Sequence, residues 1–505
     1  MFSFPKKIRT LIFTIIVIGV FPANIVIAKS AVNDMPDSSI QNRIQSTFTG
    51  DLDQLRKRHI IRVLVSHTKT NFFVTKKGFR GIEYDLLKAY EKQLNRGPRK
   101  QRYLTHFSFI PVPFGELLTK LEQGYGDIAA SGITITPERE SLVDFTDPYI
   151  TDIDEVLISN KQTHPIQTID DLAGKQIILV ANSSYIIHVA KINQQLGAKG
   201  LQPIEIITAD PLLEAEDLLE FVNKQLYDFT VIDSHIAFIW KNVLKNIRIH
   251  SDIVFFKDAK ISWAIQKNLP QLKASLNRFI QNHARPGKLL GNTVYKKYFE
   301  DTYWIKTPLT YDLLKKVDCL KQHFKFYGEF YDINWQLIAA QAYQESRFDH
   351  SKTNHVGARG VMQIKLSTAK DKNVGIHNID SLEDNIHAGV RYLAFLKERY
   401  FTESAFTEEE QNNFALAAYN AGPRRVILLR KEAKINGLNP YKWSYNVESI
   451  ARERIGLETV NYVTSIQKMR LFLQASEALQ DSKRALIKKH HDKFGIFKRS
   501  TDDKL

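Results

Sequence analysis

At about 150 residues per domain, a 505-residue chain is too long for one ordinary domain and reads as about three units. Hydrophobic residues make up 43% and charged residues 25%, a globular balance that excludes general disorder and a polytopic membrane protein. A surplus of 70 Lys and Arg over 55 Asp and Glu, net +15, favours anionic partners but does not choose among nucleic acid, acidic lipid and acidic wall polymer.

In chain order, Lys6, Lys7 and Arg9 precede an apolar run from Leu11 to Val20, and Val26-Ile27-Ala28 supplies the small residue that a signal peptidase needs. Residues 1–28 are therefore expected to be a signal peptide, with an uncleaved signal anchor as the alternative. Pro22 and Asn24 interrupt the stretch and argue against a well-formed spanning helix. No cysteine lies near the cleavage point, which excludes lipid attachment there. Residues 29–55, rich in Ser, Asn, Asp and Gln, read as a linker.

From 56 to 304 strand and helix signals alternate. Ile60–Val65 and Phe107–Val112 are strand-like, whereas Tyr84–Leu94 and Leu117–Leu121 carry helical spacing. A second unit opens with the strand Gln176–Val180, and Ile261–Ile265 reads as a late strand. This rhythm predicts two α/β lobes joined by crossing strands, with a ligand cleft between them.

The segment from Gly126 to Arg139, GDIAASGITITPER, followed by VDFTDPY from Val143 to Tyr149, resembles the periplasmic solute-binding family for polar amino acids. That resemblance implies that Gly132, Thr134 and Arg139 hold a ligand α-carboxylate, Arg because its fork makes two parallel hydrogen bonds. It also implies that Asp233 takes the ammonium and that Ser183 and Ser184 add hydrogen bonds from the second lobe. Asn182-Ser-Ser-Tyr departs from the usual glycine-containing pattern, which leaves the ligand's identity open. Without the resemblance, Arg139 would read as a surface arginine and Asp233 as a strand-end cap.

Helical patterning takes over from 305 to 480. Trp335, Ile338, Ala342 and Glu345 share one helix face. A carboxylate on an apolar stripe loses hydration, so its proton affinity rises towards that of a general acid. The motifs Glu345-Ser-Arg-Phe348, Gly357–Ile364, Ala417–Gly422 and Glu458–Val463, in this order, resemble the soluble lytic transglycosylase family, relatives of goose-type lysozyme.

Carried over, that resemblance makes Glu345 the sole acid/base, with Ser346 lining the sugar site and Met362 and Gln363 forming the groove floor. Gln363 would hydrogen-bond the glycan, Tyr419 and Asn420 would flank the scissile bond, and Tyr462 would direct its hydroxyl to Glu345. Met362 and Tyr419 read equally well as core residues. The implied reaction is a non-hydrolytic cut of the MurNAc–GlcNAc bond of peptidoglycan, leaving a 1,6-anhydro end. A muramidase-type hydrolase and a binding sensor with a non-catalytic helical scaffold are the alternatives.

The expected fold is thus multidomain, a bilobal α/β periplasmic-binding-protein fold followed by a mainly α-helical lysozyme-like domain. The first module is expected to be regulatory, sensing wall-derived peptides or amino acids. The expected site is the periplasm, peripheral at the inner face of the outer membrane. Residues 481–505 read as a basic, solvated tail, with eight Lys or Arg against four acids. His490 and His491 lack companion ligands, and no metal or cofactor is implied. The one cysteine, Cys319, allows no intramolecular disulfide and no Cys-rich metal site. No basic–aromatic motif for nucleic acid is present.

Overall fold

The computed structural model describes residues 43–44, 46–75, 78–97, 104–300, 302, 305 and 311–494; the signal-peptide features from Lys6 to Ala28 lie outside them. The stretch read as a linker is in part structured. Asp51 and Gln54 form a reciprocal capping box that starts α1 (Leu52–Arg58), and Leu52 and Leu55 are buried. Upstream, Phe48 donates its N–H to Gly124 O at 2.9 Å and lies under the Arg58 guanidinium. Polar composition concealed this docking.

The first lobe follows the predicted rhythm. Strand β1 (Ile60–Val65) leads through the hairpin β2 (Phe73–Thr75) and β3 (Gly78–Arg80) into α2 (Ile82–Leu94). Then come β4 (His106–Pro111), α3 (Leu117–Glu122), β5 (Ile128–Thr134), α4 (Pro137–Leu142) and β6 (Asp144–Phe145). β1 pairs in parallel with β4 and β5 and is buried along its whole length, the pattern of a strand covered on both faces. Arg62 on β1 is also fully buried, and its guanidinium meets Asp127 at 2.7 Å.

The long strand β7 (Ile150–Asn160) crosses to the second lobe, which is built from β8 (Gln176–Leu179), α5 (Ser184–Ala198), β9 (Glu205–Thr208), α6 (Ala215–Asn223), β10 (Phe229–Asp233) and α7 (Ser234–Lys241). β11 (Ile247–Ile265) returns antiparallel to β7, so these two strands are the predicted crossing connections. The sheet runs β4-β1-β5-β11-β7-β10-β8-β9 through both lobes, with β6 also paired to β11. Helices α8 (Pro270–Phe279) and α9 (Leu289–Tyr295) close the first lobe.

The remainder is helical. α10 (Tyr311–Phe330) carries Cys319, which is exposed. It precedes α11 (Trp335–Ser346), whose Asn334 cap accepts from Leu337 N. A two-stranded ribbon, β12 (Ala358–Arg359) and β13 (Ile364–Lys365), leads through the short α12 (Leu366–Ala369) to α13 (Leu382–Tyr400), α14 (Glu408–Ala421) and α15 (Pro423–Ile435). α16 (Glu448–Ile455) and α17 (Leu457–Phe494) finish the described chain.

The tail expectation needs correction here. With neither Gly nor Pro between 457 and 494, α17 continues through the first fourteen residues assigned to the tail. The two halves also share one apolar core. Leu218 and Phe221 of α6 join Met469 and Phe472 of α17, with the Phe221 and Phe472 rings edge to face at 5.7 Å.

Candidate active site and ligand cleft

Glu345 sits in the last turn of α11, where the helix stops abruptly. Arg347 and Phe348 follow in the left-handed region at φ 60° and 63°, a conformation non-glycine residues seldom adopt. The reversal is fixed by Arg347 N on Tyr343 O at 2.9 Å and by the Ser346 hydroxyl on Val361 O at 2.8 Å. Glu345 is thereby left half-buried at the end of a rigid helix. Its Oε1 accepts the Tyr462 hydroxyl of α17 at 2.6 Å, and the Tyr462 oxygen accepts Gln341 Nε2 at 3.2 Å.

Burial pushes the Glu345 carboxyl up to about 7, although the Tyr462 bond and the charge of Lys352 pull the other way. Lys352 Nζ also donates to the Glu345 carbonyl, so a cation is tied to the same turn. No second carboxylate is among the groups that set the proton affinity of Glu345.

The loop opposite is built on hydrogen bonds to backbone. Asn385 of α13 is fully buried; its Oδ1 accepts Met362 N at 2.9 Å and its Nδ2 donates to Arg359 O at 3.0 Å. Gly360, at φ +73°, must be glycine, because a Cβ there would meet Asn385 Nδ2 at 2.4 Å. Tyr419 donates its hydroxyl to Met362 O at 2.9 Å, and Asn420 accepts from Thr459 at 2.7 Å.

Two of the expected site residues make bonds to backbone. Ser346 is buried, and its hydroxyl donates to Val361 O and holds the turn. The Gln363 amide donates to the carbonyls of Lys352 and Gly360, both at 2.9 Å, so its N–H groups stabilise the loop and only its oxygen is left for a glycan. Met362 is wholly buried, the core reading left open above. Sequence reasoning missed Gln341, Lys352 and Asn385. Asn385 had no signal outside the four motifs, whereas Gln341 lies one helical turn before Glu345 on the same stripe.

In the first domain Gly132, Thr134, Ser183, Ser184 and Asp233 line one recess between the lobes. Arg139 is buried beside it, with Nη1 on Thr134 O at 2.8 Å and Thr136 capping its helix. No other side-chain nitrogen of Arg139 is bonded among the described residues. Gly132, expected to hold a ligand carboxylate, has no N–H to offer, since it donates to the buried Glu83 at 2.8 Å. Ser183 and Ser184 likewise give their hydroxyls to Val180 O and Glu155 Oε1. Asp233 has a buried Oδ1 without a hydrogen-bond partner, and burial followed by the charge of Glu155 lifts its carboxyl to about 8. Tyr185, whose hydroxyl oxygen accepts the Asp233 N–H at 3.3 Å, was not anticipated.

Residues 61–301 match the family of bacterial extracellular solute-binding proteins, family 3, and residues 322–440 match the transglycosylase SLT domain. A membrane-bound lytic murein transglycosylase F of Desulfosudis oleivorans is 29% identical over 404 residues, covering 77% of this chain and 82% of its own. One of the same name from Saccharophagus degradans is 28% identical over 458 residues, covering 87% and 86%. Among solved structures, an ancestral arginine-binding protein bound to arginine aligns with a TM-score of 0.39 at 23% identity, covering 48% of this chain and 98% of its own. The substrate-binding protein of an amino acid ABC transporter gives 0.40 at 20% identity, covering 48% and 100%. Among the described residues no helix is long and apolar enough to cross a membrane.

Proposed function

From the premise that this chain is a peptidoglycan lytic transglycosylase, with both domains matched as in the membrane-bound lytic murein transglycosylases F, we propose that Glu345 is its sole acid and base. The observation that carries this is a half-buried carboxyl at about 7, bonded to one tyrosine and influenced by no second acid. A group with that proton affinity is largely protonated below neutral pH and gives its proton to the oxygen of the breaking glycosidic bond.

The carbon left behind takes on positive charge, and glycosidases with two carboxyls would meet it with the second. Here the N-acetyl oxygen of the muramic acid closes on that carbon instead. The Glu345 carboxylate then removes the proton of the same sugar's 6-hydroxyl, whose oxygen displaces the N-acetyl oxygen to give the 1,6-anhydro ring. No water is consumed, and the proton returns to Glu345 for the next cycle. The Tyr462 hydroxyl stabilises the carboxylate stage, which is why it lowers the proton affinity.

The test is to digest sacculi with the full chain and with Glu345→Gln and weigh the muropeptides. Products one water lighter than hydrolysis products support the lyase; full-mass products indicate a muramidase. An unimpaired Glu345→Gln enzyme removes the assignment.

The recess of the first domain is proposed to receive an amino acid or peptide end, with Arg139 on the carboxylate and Asp233 on the ammonium. A cluster joining three parts of the molecule supports a regulatory role. Lys69 of the first lobe meets Asp217 at 3.0 Å and Glu220 at 2.5 Å on α6. Lys468 of α17 meets Asp217 at 2.6 Å, two turns beyond Tyr462. Helix α6 starts at the cleft, so closure of the lobes bears on the helix that holds the Glu345 partner. The protein is proposed to act in the periplasm, attached peripherally at the outer membrane.

A further inference from the structure

The recess holds more acid than a zwitterion needs. Asp233 suffices for one ammonium, yet Glu214 and Glu216, at the start of α6, face the same space. Both are more than nine-tenths buried, at 7% and 2% exposure. Glu214 caps α6 by accepting from the backbone of Asp217, a structural duty that occupies part of its carboxyl. Glu216 Oε1 is buried without a hydrogen-bond partner, as Asp233 Oδ1 is.

The cations nearby are committed elsewhere. Lys69 Nζ is shared by Asp217 and Glu220, and Lys468 Nζ is on Asp217. His235, also lining the recess, is held neutral by burial, its ring pushed down to about 4. Burial raises Glu214 and Glu216 as it raises Asp233. Arg139 answers Asp233 and Glu155, and the charges of Lys468 and Lys69 reach Glu214 and Glu216 only from their bonds on other acids. Glu216 Oε1 and Asp233 Oδ1 stay open; buried acceptors left open in this way are costly unless a donor fills them.

We propose that Glu214 and Glu216 form a second cation subsite, so that the cleft selects a diamino acid, free or at a peptide end, over its neutral isostere. Arg139 and Asp233 take the carboxylate and α-ammonium, and the side-chain ammonium reaches the pair on α6. This rests on reading the cleft as a zwitterion receptor.

Calorimetry on the full chain compares L-lysine and L-ornithine with L-norleucine, which is lysine without its terminal amine. Lysine is expected to bind at least about tenfold tighter than norleucine, since a desolvated charge pair is worth well over 1 kcal/mol. In Glu214→Gln/Glu216→Gln that preference is expected to fall to about twofold while norleucine binds as in wild type, which also reports an intact cleft. Norleucine equal to lysine in the wild type overturns the second subsite and leaves the zwitterion reading standing. A preference that survives in the double variant overturns the assignment to these residues. Failure of all three amino acids to bind, with Arg139→Ala no different, removes the zwitterion reading and the subsite with it.

Discussion

Each half of the molecule holds a carboxyl at its site away from water, Asp233 in the first and Glu345 in the second, and for both burial is the first cause of the raised proton affinity. Around Glu345 the neighbours are a tyrosine hydroxyl and a lysine, both of which favour the ionised form and hold the group near 7. Around Asp233 a second acid, Glu155, opposes ionisation more strongly than either Tyr185 or Arg139 favours it, and the group stands near 8. The first arrangement allows a proton to leave and return within one reaction. The second waits for a cation to replace the proton. Desolvation thus supplies the same perturbation twice, and the charges placed next to it decide whether the outcome is a catalyst or a receptor.

The contrast can be broken outright at Glu345. Glu345→Gln is expected to lower peptidoglycan turnover by about 10³-fold or more, measured as released muropeptides, with an unchanged far-ultraviolet spectrum. On the receptor side, Arg139→Ala is expected to weaken amino-acid binding by about a hundredfold in calorimetry and to leave basal turnover within about twofold, because Arg139 touches no part of the groove.

The two carboxyls also predict opposite pH responses. Turnover requires protonated Glu345 in its first step, so kcat/KM should fall as pH rises through about 7. Binding requires ionised Asp233, so affinity should strengthen by about tenfold per pH unit up to about 8 and then level off, with proton release visible in buffers of different ionisation heat. Tyr462→Phe removes a bond that lowers the proton affinity of Glu345. It should move the alkaline limb to higher pH and cut turnover by about tenfold. The smallest effect is expected for Lys468→Met, which detaches α17 from Asp217: a severalfold change in how activity responds to added amino acid, at unchanged Glu345 titration.

Much of this was legible in the sequence because it is local. The helix face carrying Glu345, the strand ending in Asp233 and the alternation that builds the lobes are all set by spacing along the chain. The tyrosine expected at Glu345 is there, 117 residues away in sequence. What stayed hidden depends on long-range contacts. Asn385 reads as one polar residue in a helix until it is seen clamping the Met362 loop. Gly132 resembles a ligand donor until Glu83, on α2, takes its N–H. Composition also misled at the edges, where a capping box turned apparent linker into helix and a run without Gly or Pro carried α17 into the apparent tail.

Phe472, seated on Phe221 within a core common to both halves, bears on how this protein is cut or recombined. A fragment trimmed to the helical half alone would display the greasy side of its longest helix to solvent and invite clumping. A chimera given a foreign receptor would need α6 grafted along with the new lobe. Such parts are not interchangeable cassettes, and the seam to respect runs through side chains rather than along the connecting peptide.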